Sequence, residues 1–484
     1  MQRKFVTNLA LLLGLNLLIK TFWVLGIDRA VQNAVGTEQY GFYYAIFNFS
    51  FLLNILLDLG ITNFNNKNIA QNNHLLSKHF SSIVILRLFL AGVFTVITLI
   101  GGWLIGYTAD MMKMLAAVVF NQILISFIMY LRSNLAGLHQ FKTDSVISVL
   151  DRFIMSVICA ILLVKYNEPG SFQLKWFVYA QTFAYILTAA ITFLIVLKKA
   201  KVRRFQWRWP FFLMILKKSY PYAVLVLLMT FYNRIDGVML ERLLPFRIGA
   251  NEAGIYASAY RLLDAANMIA FLFAGLLLPI FALMIKLKQD VQEMVSLSFS
   301  LLVIPAMIVS CCCAFYSFEW MDLLYHGEHI EESATVFRIL MCCFVPISAT
   351  YIYGTLLTAN GSLRQLNIMA SSGMVLNVVL NLFLIPRYQA TGAAISSITT
   401  QLFTCLAQVI MVTKIFRFRA HIERGLKLSV FLILCVLINL GLRNAGVSWM
   451  AGFSLSATGC FLLAFSLGLI RPKSIYRIIR YDEQ

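Results

Sequence analysis

The chain has 484 residues, 60% of them hydrophobic and 13% charged, with a mean hydropathy of +0.80. Soluble domains carry roughly 25% charged and 45–50% apolar residues, so a soluble fold of this composition could not cover its apolar surface. It reads as an all-α polytopic membrane protein, and the formal charge of +19 is first the Lys and Arg excess of cytoplasmic loops, not a nucleic-acid footprint.

Arg3 and Lys4 precede an apolar run that passes Lys20 and continues to about Gly26. No small-residue cleavage site stands behind it, so it reads as a retained first helix. Hydropathy places six spans near 7–33, 38–63, 79–106, 110–135, 143–165 and 174–197. Next comes Lys198 to Lys218, with eight basic residues, no acid, and Phe205, Trp207 and Trp209 interleaved. In a soluble protein that mixture would track phosphates and stack on bases. Between two apolar regions it reads as a cytoplasmic anchor, with Arg203, Arg204 and Arg208 beside anionic lipid headgroups. Six more spans follow near 217–243, 251–284, 293–318, 334–359, 364–386 and 391–415, then two near 426–442 and 447–470. The total is about fourteen, each long enough to cross with some tilt.

Alternating these spans from a cytoplasmic N-terminus puts 26 Lys and Arg inside and 8 outside, which favours N-in and C-in. A repeat points the same way. Asp28-Arg29, Gly36, Gly41 and Tyr43 recur as Glu241-Arg242, Gly249, Gly254 and Tyr256, each displaced by 213 residues. The displacement spans six helices, an even number, so the two copies are expected to be parallel repeats. The expected domains are a six-helix lobe at 1–197, a basic cytoplasmic connector at 198–216 and a second six-helix lobe at 217–416. Two extra helices and a basic tail at 417–484 complete the chain.

Ionisable groups deep in a membrane helix are costly and usually functional. Lys20 lies near the middle of the first span, with Asn16 one turn earlier. Arg234 stands beside Asn233 and near Asp236, and Arg261 shares a helix face with Asp264. Asp58 and Asn54 stand together on the second span. Asp151 and Arg152 are adjacent, and neighbours on a helix point to different faces. Arg87 and Arg338 lie within about two turns of helix ends, where long side chains snorkel. The nine cysteines sit in apolar stretches without metal-ligand spacing, and no P-loop, nucleophile elbow or histidine cluster is found. No catalytic residue, metal or cofactor is expected.

Two stretches carry a family resemblance. VGTEQYGFYYAIFNFSFLLNILLDLGI (35–61) resembles the second helix of polysaccharide-export flippases. LLTANGSLRQLNIMASSGMVLNVVLNLFLIPRYQATGAAISSITTQ (356–401) is closer. Its N-L-x-L-I-P-x-Y followed by T-G-A-A-I resembles O-antigen-type (Wzx-like) flippases of the multidrug/oligosaccharidyl-lipid/polysaccharide exporter superfamily. That resemblance implies two lobes around a central cavity and alternating access. It also implies transfer of an undecaprenyl-diphosphate-linked oligosaccharide across a bacterial inner membrane, with no covalent bond changed. A cationic cavity would meet the diphosphate. Lys20, Arg234 and Arg261 fit that role, with Arg152 and Arg87 as further candidates, while Asp58, Asp236 and Asp264 are candidates for coupling to H+ or Na+. Polysaccharide polymerase and chain-length machinery are the implied protein partners. A cation-coupled drug exporter and a peptidoglycan lipid precursor flippase are alternatives on the same fold. Drug exporters often carry an acid in the first helix, where this chain has Lys20. A membrane glycosyltransferase or polymerase would need a large outer loop, and the longest here, around 319–333, has about 15 residues.

Overall fold

The structure, a computed structural model, describes residues 14–16, 18–19, 21–62, 65, 69, 75–138, 140–166, 172–200, 209–325, 329–418 and 422–469. Every regular element among them is a helix. A π-helical segment, Trp23–Asp28, opens the order and runs into α1 (Arg29–Val35), α2 (Thr37–Leu52) and α3 (Ile55–Asp58). Then come α4 (Leu75–Ile105), α5 (Ala109–Gly137), α6 (Phe141–Lys165), α7 (Leu174–Ala200), α8 (Trp209–Leu243) and α9 (Phe246–Lys286). The order closes with α10 (Gln292–Phe315), α11 (Ser317–Leu324), α12 (Ile330–Ala359), α13 (Leu363–Phe416), α14 (Ile422–Asn444) and α15 (Trp449–Ser466).

Ten helices among the described residues are long and apolar enough to cross a membrane. One of them, α13, counts 54 residues, about 80 Å at 1.5 Å per residue against a hydrocarbon core of about 30 Å. It is broken at Gln389 (φ 52°, ψ −133°), within the joint expected between spans 364–386 and 391–415, so it supplies two crossing segments. The chain divides into two compact units, Met1–Gly254 and Ile255–Gln484. In the first, α8 packs along α2, and the basic residues Arg203, Arg204 and Arg208 lie outside the described residues.

The second span is not the continuous helix expected over 38–63. α2 ends in a turn at Leu53 and Asn54, α3 lasts one turn, and Leu59 (φ 44°) and Gly60 (φ 81°) are left-handed. In lipid the backbone groups freed by such a break must find partners inside the protein. Leu59 N–H donates to Ile55 O at 2.8 Å, and Thr62 N–H donates to the Asp58 carboxylate at 3.1 Å.

Two residues of the repeat meet in the first unit. A Cβ on Gly41 would fall on the Ala250 carbonyl, and a Cβ on Gly254 would fall on the Thr37 carbonyl. Gln32 Nε2 donates to Gly254 O at 3.1 Å across the same contact. The repeated tyrosines are also used alike, each inside its own unit. Gln181 Nε2 donates to Tyr43 Oη at 3.0 Å, and Tyr256 Oη lies 3.1 Å from Ser397 Oγ. Ser397 stands about one helical turn beyond the position 213 residues after Gln181.

In the second unit, α14 and α15 pack on α10 through Ile304, Ile308, Cys312, Phe431, Cys435 and Cys460. Every cysteine is free, and these small side chains fill the seam as apolar groups. Arg443 Nη1 donates to Phe315 O at 2.6 Å, and Trp320 packs against Trp449 and Phe453. The two C-terminal helices are therefore built into this unit. Arg338, expected to snorkel, is exposed, and its Nε donates to Ser317 Oγ at 3.3 Å.

Overpacking a tight contact costs about 1–3 kcal/mol, and a backbone carbonyl cannot rotate aside. Gly41→Ala and Gly254→Ala are each expected to lower the thermal unfolding midpoint in detergent by several degrees. Gly92→Ala, whose Cβ meets nothing within 4 Å, should leave it unchanged or raised.

Candidate substrate and coupling site

The sequence-expected charges are not brought to one place among the described residues. Lys20 lies outside the described residues. Nearby on the same span, Asn16 Nδ2 donates to Ser148 Oγ of α6 at 2.8 Å.

Arg87 and Asp58, expected to serve different purposes, form an ion pair. Arg87 does not snorkel. It is 5% exposed: α4 begins at Leu75, more than three turns before it, and its guanidinium is turned onto the second span and α5. Its Nη2 also donates to Thr62 Oγ1 at 2.6 Å, and its Nη1 donates to Ser126 O and Oγ at 2.9 and 3.0 Å. The Tyr130 ring lies 4.8 Å from the guanidinium carbon. Asp58 in turn accepts from the Thr62 hydroxyl.

This cluster is the middle rung of a ladder between the second span and α5. Asn54 Nδ2 donates to Gln122 Oε1 at 3.2 Å on one side. On the other, Asn65 Nδ2 donates to Ser133 Oγ and Asn134 Oδ1, both at 3.0 Å. Positions 54, 58 and 65 and positions 122, 126 and 133 share one spacing, offset throughout by 68 residues. The α5 partners had not been singled out in the sequence. Comparing polar spacings between spans would have found them.

Arg152 occupies a second cluster, in the first unit. Its guanidinium carbon lies 5.5 Å from the Trp23 ring and 5.9 Å from the Tyr185 ring. Its Nε is 3.7 Å from Asp151 Oδ2. Sequence neighbours do meet here, because the long arginine side chain folds back along the helix. Trp23 stacks on Phe177 at 5.9 Å and stands in the π-helical segment, a geometry that often marks functional positions. The segment ends at Asp28, which is buried and accepts from Tyr40 Oη at 2.8 Å. Arg152 keeps 28% of its side chain exposed, against 5% for Arg87.

The remaining charges divide between the units. Arg234, on α8, sits 5.4 Å from the Phe51 ring, two residues before the buried Asp236. In the second unit, Arg261 and Asp264 are both half-buried on α9. Glu241, the repeat counterpart of Asp28, is also buried and pairs with Arg242 at 2.7 Å. Arg242 lies 4.3 Å from the Tyr107 ring. Burial, with Glu241 nearby, pushes the Tyr107 phenol above its usual range. No group of His, Cys, Asp or Glu among the described residues is arranged to hold a metal ion.

Residues 29–285 match the family model described as polysaccharide biosynthesis protein. The chain belongs to that family. Comparison with curated proteins returns no match. Among solved structures, the fold of this chain is similar to that of the lipid II flippase MurJ in an inward closed conformation. The TM-score is 0.71 at 13% identity, over 94% of this chain and 99% of that one. An inward-facing multidrug resistance MATE family transporter of the MOP superfamily gives 0.59 at 13% identity, over 82% and 96%. The Vibrio cholerae MATE transporter VcmN gives 0.55 at 12% identity, over 85% and 98%. The fold is thus one used by membrane transporters.

Removing one member of a buried ion pair leaves the other charge uncompensated, at about 3–5 kcal/mol. Arg87→Met and Asp58→Leu should each lower the thermal midpoint sharply. The double variant should recover much of the loss, since apolar replacement of a whole pair is often near neutral. A double variant as unstable as the sum of the singles would overturn the pairing.

Proposed function

We propose that this protein flips an undecaprenyl-diphosphate-linked oligosaccharide across a bacterial inner membrane by alternating access, for surface polysaccharide synthesis such as O-antigen. The match over 29–285 to a polysaccharide biosynthesis family carries the reading, and the transporter fold supports it. In this reading the chain crosses the membrane about fourteen times in two parallel six-helix lobes, joined by the connector at 198–216. The extra C-terminal pair follows them, and both termini are inside.

The headgroup to be moved is a diphosphate with sugars attached, so it needs cations and hydrogen-bond donors where water is scarce. Arg152 suits this role better than Arg87. Its guanidinium lies near the Trp23 and Tyr185 rings, its side chain is 28% exposed, and its partner Asp151 is in the same helix. Arg234, beside Phe51, and Arg261 extend the cationic set, and Lys20 joins them on sequence grounds. Asp236 and Asp264 remain the coupling candidates for H+ or Na+. Asp58 is a weaker one, since its carboxylate is engaged by Arg87 and Thr62.

A deletion strain should lose lipid-linked glycan from the outer leaflet and accumulate it on the cytoplasmic side. Arg152→Gln, Arg234→Gln and Arg261→Gln, each expressed at the normal level, should restore surface polysaccharide roughly tenfold less efficiently. A charge-assisted hydrogen bond is worth about 1.5–3 kcal/mol. Full polysaccharide in the deletion strain, with no second flippase present, would sink the proposal. Lethality with arrested wall synthesis would move the substrate to a peptidoglycan lipid precursor.

A further inference from the structure

A separate feature lies in the first unit between α6 and α7. A cavity of about 440 Å³ opens there, lined chiefly by Ile158, Leu162, Tyr166, Trp176, Tyr179 and Phe183. Its volume is in the range of small-molecule pockets, roughly 300–1,000 Å³. The walls carry no charge, and Tyr179 and Phe183 are 60% and 57% exposed.

The residues next to Tyr166 and Trp176 in the chain differ from the walls. Lys165 closes α6 and Lys175 sits one residue inside α7, and both side chains are exposed. Lys165 Nζ lies 5.4 Å from the Tyr166 ring, and Tyr166 packs on Trp176 at 4.3 Å. Three other cations near helix ends are matched, Lys113 by Asp110, Arg242 by Glu241 and Arg443 by Glu319. Lys165 and Lys175 have no carboxylate partner among the described residues. Glu168, in the joint between them, lies outside the described residues.

An apolar slot lined by Tyr and Trp, whose lining residues Tyr166 and Trp176 are chain neighbours of two lysines without a carboxylate partner among the described residues, has the polarity of a phospholipid. Tyrosine and tryptophan favour the headgroup level, lysine serves a phosphate as a point charge, and the slot takes hydrocarbon. We propose that the α6–α7 groove binds one anionic phospholipid, with an acyl chain along Leu162 and Phe183 and the headgroup phosphate between Lys165 and Lys175. The site is independent of the flipped substrate and stands whether or not that reading holds.

The full-length protein, purified in detergent, is incubated separately with phosphatidylglycerol and phosphatidylcholine, and bound lipid is counted by native mass spectrometry. Phosphatidylglycerol should be retained roughly tenfold better, each lysine near a phosphate contributing a several-fold factor. Lys165→Gln/Lys175→Gln should bring the two lipids within about twofold. Lys113→Gln/Lys142→Gln, at the first turns of α5 and α6, should preserve the preference. Leu162→Trp, which fills the slot and keeps both lysines, should reduce retention of both lipids. Equal retention by the unaltered protein, or equal loss from both lysine pairs, would overturn the proposal.

Discussion

Inside a bilayer an unpartnered polar group costs several kcal/mol, because no water is present to replace a missing contact. The first unit meets this constraint most sharply at Asp58. There the second span breaks, two left-handed residues follow, and backbone groups come free within the helix. Asp58 receives the restarting Thr62 N–H and hydroxyl. Its charge must then be matched, and Arg87 matches it from α4 while reaching Ser126 on α5. Three elements are thus tied at one point by a carboxylate that the break itself made necessary. Such a pair adds little net stability over an apolar replacement. What it fixes is register. With rungs at Asn54 and Asn65, a slip of one residue along α5 would strand several polar groups at once.

The repeat supplies a different kind of constraint. In a membrane, helix association gains little from the hydrophobic effect, since lipid tails are as apolar as the helix faces. Close approach must supply the attraction instead. Gly41 and Gly254 come from equivalent positions, and each lies against the backbone of the other's segment. Tyr43 and Tyr256 then reach equivalent helices, α7 and the second half of α13, within their own units. One short motif therefore performs two jobs in both copies. Its glycines allow contact and its tyrosine tethers a helix several spans away.

Much of this was legible in the sequence. Apolar run length gave the helical membrane class, the Gln389 break fell where a joint was expected, and the 213-residue displacement gave paired positions that the structure uses alike. What was missed shares one cause. A hydropathy profile treats a span as a cylinder with a mean polarity, so it cannot see a break inside one. The interruption at Asp58 therefore went unread, although Gly60 stood in the sequence. Nor can a profile say which way a long side chain bends. Arg87 and Arg152 both looked ambiguous, and only the neighbours on α5, α7 and the π-helical segment distinguish them.

That distinction shows how one residue type serves two ends in the same unit. A guanidinium carries five N–H donors in a fixed plane. In Arg87 both terminal nitrogens are turned onto Asp58, Thr62 and Ser126, and burial to 5% exposure seals the group inside the helices. In Arg152 the guanidinium carbon lies near the Trp23 and Tyr185 rings, and Nη1 donates to Met155 Sδ at 3.8 Å on its own helix, so aromatic contact takes the place of the buried ion pair that holds Arg87. The first arrangement would lose its charge balance if the group moved toward a ligand. The second leaves 28% of the Arg152 side chain exposed, so the same residue type is sealed in at one place and left partly open at another.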